Sequence, residues 1–344
     1  MNYASFVFPA VRGFQAKREY FTAMVPLEVI PKIFQFTDQE MPPEIRSQRV
    51  LNKARIPEMR DYIINNPESY VFSSLTVSVD GDMIFESVND NETMIGHISI
   101  SMNARFLIND GQHRRAAIAE AIKLNPELKN EHISVVFYYD NGLKHSQQMF
   151  SDLNRYAIRP TKSINILFNS REESSIVAKK VIEKVGIFSG MTEKEKTTIS
   201  NRSKALFTLS AISTATIELL KDIDIELDEK IKLAVDFWTA VSEYMNDWQA
   251  AKNGTKKPSE VRIESICSLS ITLVAIGFGG NKLIKKHTDN WSEKLRCLAN
   301  VDWRKDNPVW KDLVFVNGKV AANRSSQTAL SNYLKQIMME ETGV

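Results

Sequence analysis

The sequence predicts an α+β protein, with a mixed α/β N-terminal domain followed by a mostly helical C-terminal domain. Three observations carry this reading. The chain has 344 residues, more than one small core requires. Up to about residue 140, short alternating apolar runs are interleaved with helical stretches. Beyond Phe168, long segments carry helical periodicity instead. The boundary is expected near 165–175, giving domains 1–170 and 171–344.

Taken in order, Val25–Phe36 has apolar residues at helical spacing, with Pro26 near its start, and a polar, Pro-containing stretch follows at Thr37–Arg49. Ile56–Asn65 predicts a helix: Pro57 fits the first turn and Asn65-Asn66-Pro67 ends it. Val71–Val79 is β-rich, and Asp80-Gly81 signals a hairpin into Met83-Ile84-Phe85. His97–Met102 alternates, with Ile98, Ile100 and Met102 on one face. Ala104–Asn109, the Ala-rich segment from Ala116 to Ala121, and Ile133–Tyr139 predict a strand–turn–helix–strand unit, its helix long enough to cross over. In the second half, Ser174–Val185, Ser203–Leu220, Asp228–Trp248 and Ser259–Ala275 are expected helices. In the third of these, Ile231, Ala234, Val235, Trp238, Val241, Met245 and Trp248 share one broad face. Leu313–Val316, Asn317-Gly318 and Lys319–Ala321 predict a hairpin in the tail.

Composition narrows the function classes. Apolar residues make up 43% and charged residues 25%, as in an ordinary globular protein. Net charge is +2, with 44 basic and 42 acidic side chains, so any DNA contact must come from a local patch. Cys267 and Cys297 have neither metal spacing nor a disulfide framework, which fits the cytoplasm. No signal peptide is read at Met1–Ala10, and Ile263–Phe278 is too short and too interrupted to span a membrane. His97, His132, His145 and His287 form no metal set with His113, and neither a zinc motif nor a Walker loop occurs.

The most concentrated chemistry is Asp110-Gly111-Gln112-His113-Arg114-Arg115, placed between a strand and a helix start. Free backbone N–H groups and the helix dipole favour an anion there. Gly111 permits an unusual backbone conformation or a close phosphate approach. Arg114 and Arg115 offer forked donors to phosphate oxygens. His113 can donate to phosphate or transfer a proton, and Gln112 can position a water or read a base edge. Asp110 can cap the helix, hold a divalent cation such as Mg2+, or orient His113. A capped helix with a solvated basic start satisfies the same spacing.

The string DGQHR, following a short apolar strand and preceding Arg115-Ala116-Ala117-Ile118, resembles the signature of DGQHR-domain proteins, and the chain is similar to the DndB-type family of bacterial DNA phosphorothioation systems. Arg55–Ile63, Tyr70–Val77, Phe150–Asn154, Leu206–Ile212, Trp303–Trp310 and Val316–Val320 extend that resemblance over nearly the whole chain. The core motif also resembles the G-x-x-R-x-x-A box of ParB and sulfiredoxin folds, which bind a nucleotide triphosphate at this turn. Gly111, Arg114 and Ala117 occupy the box, with Arg115 beside it. The resemblance therefore implies a ParB/sulfiredoxin-like N-terminal domain. It also implies a DNA-binding regulatory or accessory protein rather than the sulfur-transfer enzyme. DNA, other phosphorothioation-system proteins and a second copy of the chain are the implied partners. Asn154 and Arg155 are candidates for the second polar motif that helps bind phosphates in ParB-like folds. Related DGQQR-type domains hydrolyse nucleotides, which makes NTP with Mg2+ the expected ligand and Asp110 and His113 the candidate catalytic pair. No zinc or iron–sulfur cluster is expected.

Two further groups are candidate DNA contacts. Asn201-Arg202-Ser203-Lys204 precedes an apolar helix, and Lys252, Lys256 and Lys257 form a basic linker. A solvated helix cap or surface is the simpler reading of each group. Three functions remain open from the sequence: a nucleotide-responsive DNA-binding regulator, a nucleotide-independent transcriptional repressor, and an NTPase or nuclease component acting on DNA.

Overall fold

A seven-stranded mixed sheet organises the first half of the chain. The computed structural model describes residues 4–34, 52–143, 145–155, 160–311, 313–316, 318–320 and 323–339. Two units emerge from the backbone contacts, Met1–Ile158 and Arg159–Val344. The α+β class expected from the sequence is what the chain adopts: the mixed sheet first, then a largely helical part.

The strands are β1 (Ser5–Gln15), β2 (Arg18–Pro26), β3 (Leu75–Asp80), β4 (Met83–Ser87), β5 (Ile95–Ser101), β6 (Arg105–Asp110) and β7 (His132–Tyr139), in the order β4-β5-β1-β2-β7-β3-β6. Within this sheet, β3 and β7 pair in parallel and the other described neighbours pair antiparallel. The Asp80-Gly81 pair does not close a hairpin between β3 and β4, because β3 is already flanked by β6 and β7. It is a bend instead. β3 continues into β4, β5 continues into β6, and the two bent ribbons pair along both halves. Gly81 has φ +143°, and a Cβ there would stand 2.8 Å from Ala104 Cα, so the bend requires glycine. The two ends of the sheet therefore meet at the bend, and the sheet curls towards a barrel. Phe8, Phe21, Val25, Val77, Ile98, Ile100 and Phe137 fill its core.

β1 and β2 form a hairpin that the sequence reading missed. Its turn uses Ala16 and Lys17 at φ 50° and 63° without glycine or asparagine. Residues Val25–Phe36 do not form the expected helix: Val25 and Pro26 finish β2 against β7, and only α1 (Ile30–Ile33) is helical. Gln35, Phe36 and Thr37–Arg49 lie outside the described residues. α2 (Arg55–Ile64) packs on α3 (Gln112–Leu124). β7 lies beside β3 and runs antiparallel to β6, so α3 does not make the expected parallel crossover. The strand expected from Val71 begins at Leu75, leaving Val71 exposed. α4 (Ser146–Arg155) packs along β6.

The second unit contains α5 (Lys162–Phe168), α6 (Glu173–Lys184), α7 (Leu209–Leu220), α8 (Leu227–Tyr244), α9 (Asn246–Lys252), α10 (Pro258–Glu264), α11 (Ser270–Lys286), α12 (Trp291–Lys294) and α13 (Arg324–Met339). α11 packs against both α7 and α13. Two expected helices are each broken in two, at Met245 and at 265–269. At the second break Ser265 is buried, with its hydroxyl donating to Trp303 O at 3.1 Å. α7 starts later than expected, because Thr208 is its cap and accepts from Ala211 N at 3.2 Å. The tail hairpin forms between Phe315–Val316 and Lys319–Val320, with Asn317 outside the described residues. The sequence reading did not anticipate α13. Among the described residues, no helix is long and apolar enough to cross a membrane.

Candidate functional site

β6 ends at Asp110 and α3 begins at Gln112, so the whole motif sits at a strand-to-helix turn. Gly111 is the N-cap, at φ +104°. A Cβ there would stand 2.3 Å from Leu75 Cδ2, so both backbone and packing demand glycine. The first bond of the helix is Arg115 N to Gly111 O at 2.9 Å. Among the described residues no side chain caps the helix start, so its first-turn N–H groups have no capping partner there. The expectation that Asp110 caps the helix therefore fails. Its carboxylate turns to Arg114 instead, 2.6 Å from Nη2.

The two arginines diverge from the helix. Arg114 also donates through Nη1 to Ser73 Oγ, and its side chain is only 15% exposed. Arg115 reaches the other way, its Nη2 donating to Pro31 O at a long 3.5 Å. Burial pulls the Arg115 guanidinium below its ordinary pKa. Among the described residues, no acceptor meets the buried Nε–H of either arginine. A buried, unsatisfied charged donor costs stability unless something supplies the missing oxygen.

His113 is not oriented by Asp110. Its Nε2 accepts from Asn52 N at 3.1 Å, which puts the proton of the neutral ring on Nδ1. Burial, and then the nearby Arg55 charge, hold its pKa below 6.5. Gln112 is partly exposed at the first helical position. The sequence does not assign Ser73, Pro31, Asn52 or Arg55 to this site, since no local pattern brings residues so distant in the chain to one turn.

Asn109, one residue before the motif, is fully buried and donates to Ser78 Oγ at 2.8 Å and towards Met149 Sδ at 2.9 Å. Asp140 N bonds Val79 O, near the opposite end of β6, so α4 advances along β6 towards the Asp110 turn. Asn154 and Arg155 lie on its last turn, both exposed. Asn154 donates within its own helix to Phe150 O at 2.8 Å. Leu153, on the same helix, is exposed as well. At the start of α4, fully buried Asp140 holds His145 through its backbone N–H and Nδ1.

Among the described residues, no group of three or more His, Cys, Asp or Glu side chains converges on a metal position. Asp110 is a single carboxylate already paired with Arg114, so a Mg2+ ion there would need phosphate oxygens as its other ligands.

The second unit collects the other basic candidates around α10. Arg202 and Lys204 are exposed on a loop whose carbonyls are captured by Arg262, which donates to Ser200, Asn201, Ser203 and Ala205. Lys256 is held between Asp247 at 3.1 Å and Glu264 at 2.9 Å, whereas Lys257 is exposed.

No curated protein and no solved structure matches the chain. A family model described as DndB, DNA-sulfur modification-associated, matches residues 8–341. That match spans nearly the whole sequence, both the sheet with its DGQHR turn and the helical part, and the chain belongs to the DndB family of proteins associated with DNA sulfur modification.

Proposed function

We propose that this protein is a cytoplasmic, DNA-binding regulator or accessory factor of DNA phosphorothioation, whose Asp110–Arg115 turn binds the phosphates of a nucleotide. One observation carries the phosphate reading: two buried arginine Nε–H donors lack acceptors among the described residues, beside a helix N-terminus that none of those side chains caps. A phosphate supplies several anionic oxygens to such a site at once. The sharp turn from β6 into α3, with Gly111, Arg114 and Ala117 in the box positions, supports a ParB/sulfiredoxin-like domain.

Asp110 would hold a Mg2+ ion arriving with the nucleotide, and the ion would supply positive charge against the phosphates. Binding is favoured over turnover, since Asp110 is paired with Arg114 and His113 Nε2 is occupied by Asn52. Calorimetric titration with ATP, CTP and GTP, with and without Mg2+, tests the reading. Binding is expected, weakened about 10- to 100-fold in Arg115→Ala, the loss of a charge-assisted contact worth ~1.5–3 kcal/mol. Absence of binding by the unaltered protein overturns the nucleotide half.

A nucleotide-independent repressor is the second reading, favoured by Arg202, Lys204 and Lys257, all exposed around α10. It requires DNA binding with a steep salt dependence and no nucleotide effect.

A further inference from the structure

A cleft of about 380 Å³ in the first unit is lined by none of the residues of the Asp110–Arg115 turn. Three separate elements lead from the two guanidiniums into it. Ser73 accepts from Arg114, and Phe72, its neighbour, lines the cleft. Pro31 O faces Arg115, and Leu27, one turn earlier in the chain, lines the cleft. Ile118, on α3 itself, lines it as well. At about 100° per residue, Ile118 projects between Arg114 and Arg115, roughly one turn or ~6 Å further along the axis. The cleft thus opens on the side of α3 that carries the two arginines.

Its lining has a definite chemistry. Met24, Leu27, Phe72 and Ile118 give it apolar walls, and the Tyr70 and Phe72 rings meet edge to face at 5.9 Å. Glu68 and Glu131 supply carboxylates. Tyr70 Oη donates to Glu131 Oε2, fixing that carboxylate, and burial raises the Tyr70 pKa, so the phenol keeps its proton. Ser69, His132 and Ser134 line it as well, but the two carboxylates only accept, so they match a ligand that brings N–H donors.

We infer that this cleft receives the base of a nucleotide whose phosphates occupy the Asp110–Arg115 turn, and that Glu131 selects bases carrying an exocyclic amino group. This rests on the phosphate-binding reading of the turn. Adenine and cytosine present the required donor; uracil presents a carbonyl oxygen there, and its lone pairs would face the carboxylate.

The test is competitive calorimetry with ATP, CTP, UTP and inorganic tripolyphosphate on the full chain. ATP and CTP are expected to bind about tenfold or more tighter than UTP and tripolyphosphate. Glu131→Gln, whose amide can donate to the uracil oxygen, should narrow or invert the ATP-to-UTP ratio, with tripolyphosphate as the reference for each protein. Tyr70→Phe, which keeps the ring and frees the carboxylate, should lower the same ratio and guards against a folding defect in the first variant. Equal binding of ATP, UTP and tripolyphosphate would overturn the base site and leave the phosphate site standing. No binding of any of the four would overturn both.

Discussion

Arg262 in the helical unit and Arg115 at the DGQHR turn are both partly buried, and burial lowers the pKa of both, yet their surroundings differ in kind. Arg262 donates to four backbone carbonyls and ties a loop to α10. Arg115 makes one long bond to Pro31 O and keeps a buried Nε–H without an acceptor among the described residues. A saturated guanidinium is part of the fold. An unsaturated one, next to a helix start that nothing caps, is arranged for a ligand. The contrast separates structural from functional arginines without reference to their spacing in the chain.

The largest expected effects test that contrast directly. Arg262→Met should destabilise the protein by about 2–3 kcal/mol in urea unfolding, because four carbonyls lose their donor, and should leave phosphate affinity unchanged. Arg115→Met should do the opposite, weakening phosphate binding about 10- to 100-fold while changing stability by at most about 1 kcal/mol. If the two variants behave alike, the distinction is wrong.

Gly111→Ala should disturb both properties. A positive φ and the contact with Leu75 together cost about 1–3 kcal/mol of stability, and the turn can no longer present its N–H groups, so phosphate binding falls with the unfolding midpoint.

A smaller effect is expected from pH. The folded-state pKa of His113 lies below 6.5, so the unfolded chain takes up the proton first as pH falls. The stabilising contribution is complete above about pH 6.5 and declines as pH drops through the window between 6.5 and the lower folded value. His113→Gln, which can still accept from Asn52 N, should flatten the stability profile in that window. An unchanged acid slope in the variant would show that His113 does not titrate as argued.

The smallest effect concerns DNA. Replacing exposed Lys204 with alanine should lower the slope of log affinity against log salt by about 1, whereas Lys256→Ala should alter it less, since Lys256 is already matched by Asp247 and Glu264. Equal changes would argue against a backbone contact through the Arg202–Lys204 loop.

Much of this contrast was not legible in the sequence. The DGQHR turn was, because strand alternation, the glycine and the Ala-rich helix are local signals that agree. Its surroundings were not. Ser73 and Pro31 reach the arginines across 41 and 84 residues. Their positions depend on β2, β3 and β7 closing the sheet. The hairpin of β1 and β2 escaped because Val7 and Val11 are apolar on its outer face as well, which erases the two-residue period. Asp80-Gly81 looked like a hairpin turn because a bend that joins two strands needs the same glycine. In the helical unit, the breaks at Met245 and 265–269 were invisible because the apolar spacing continues through them.

The most direct test of the central claim is the thermal unfolding midpoint of the unaltered protein and of Arg115→Met, each with and without millimolar tripolyphosphate. A ligand that binds only the folded state must raise the midpoint. The unaltered protein should shift upward while Arg115→Met should shift distinctly less. No shift in the unaltered protein, or the same shift in both, would contradict a phosphate site built on the unsatisfied arginines of the DGQHR turn.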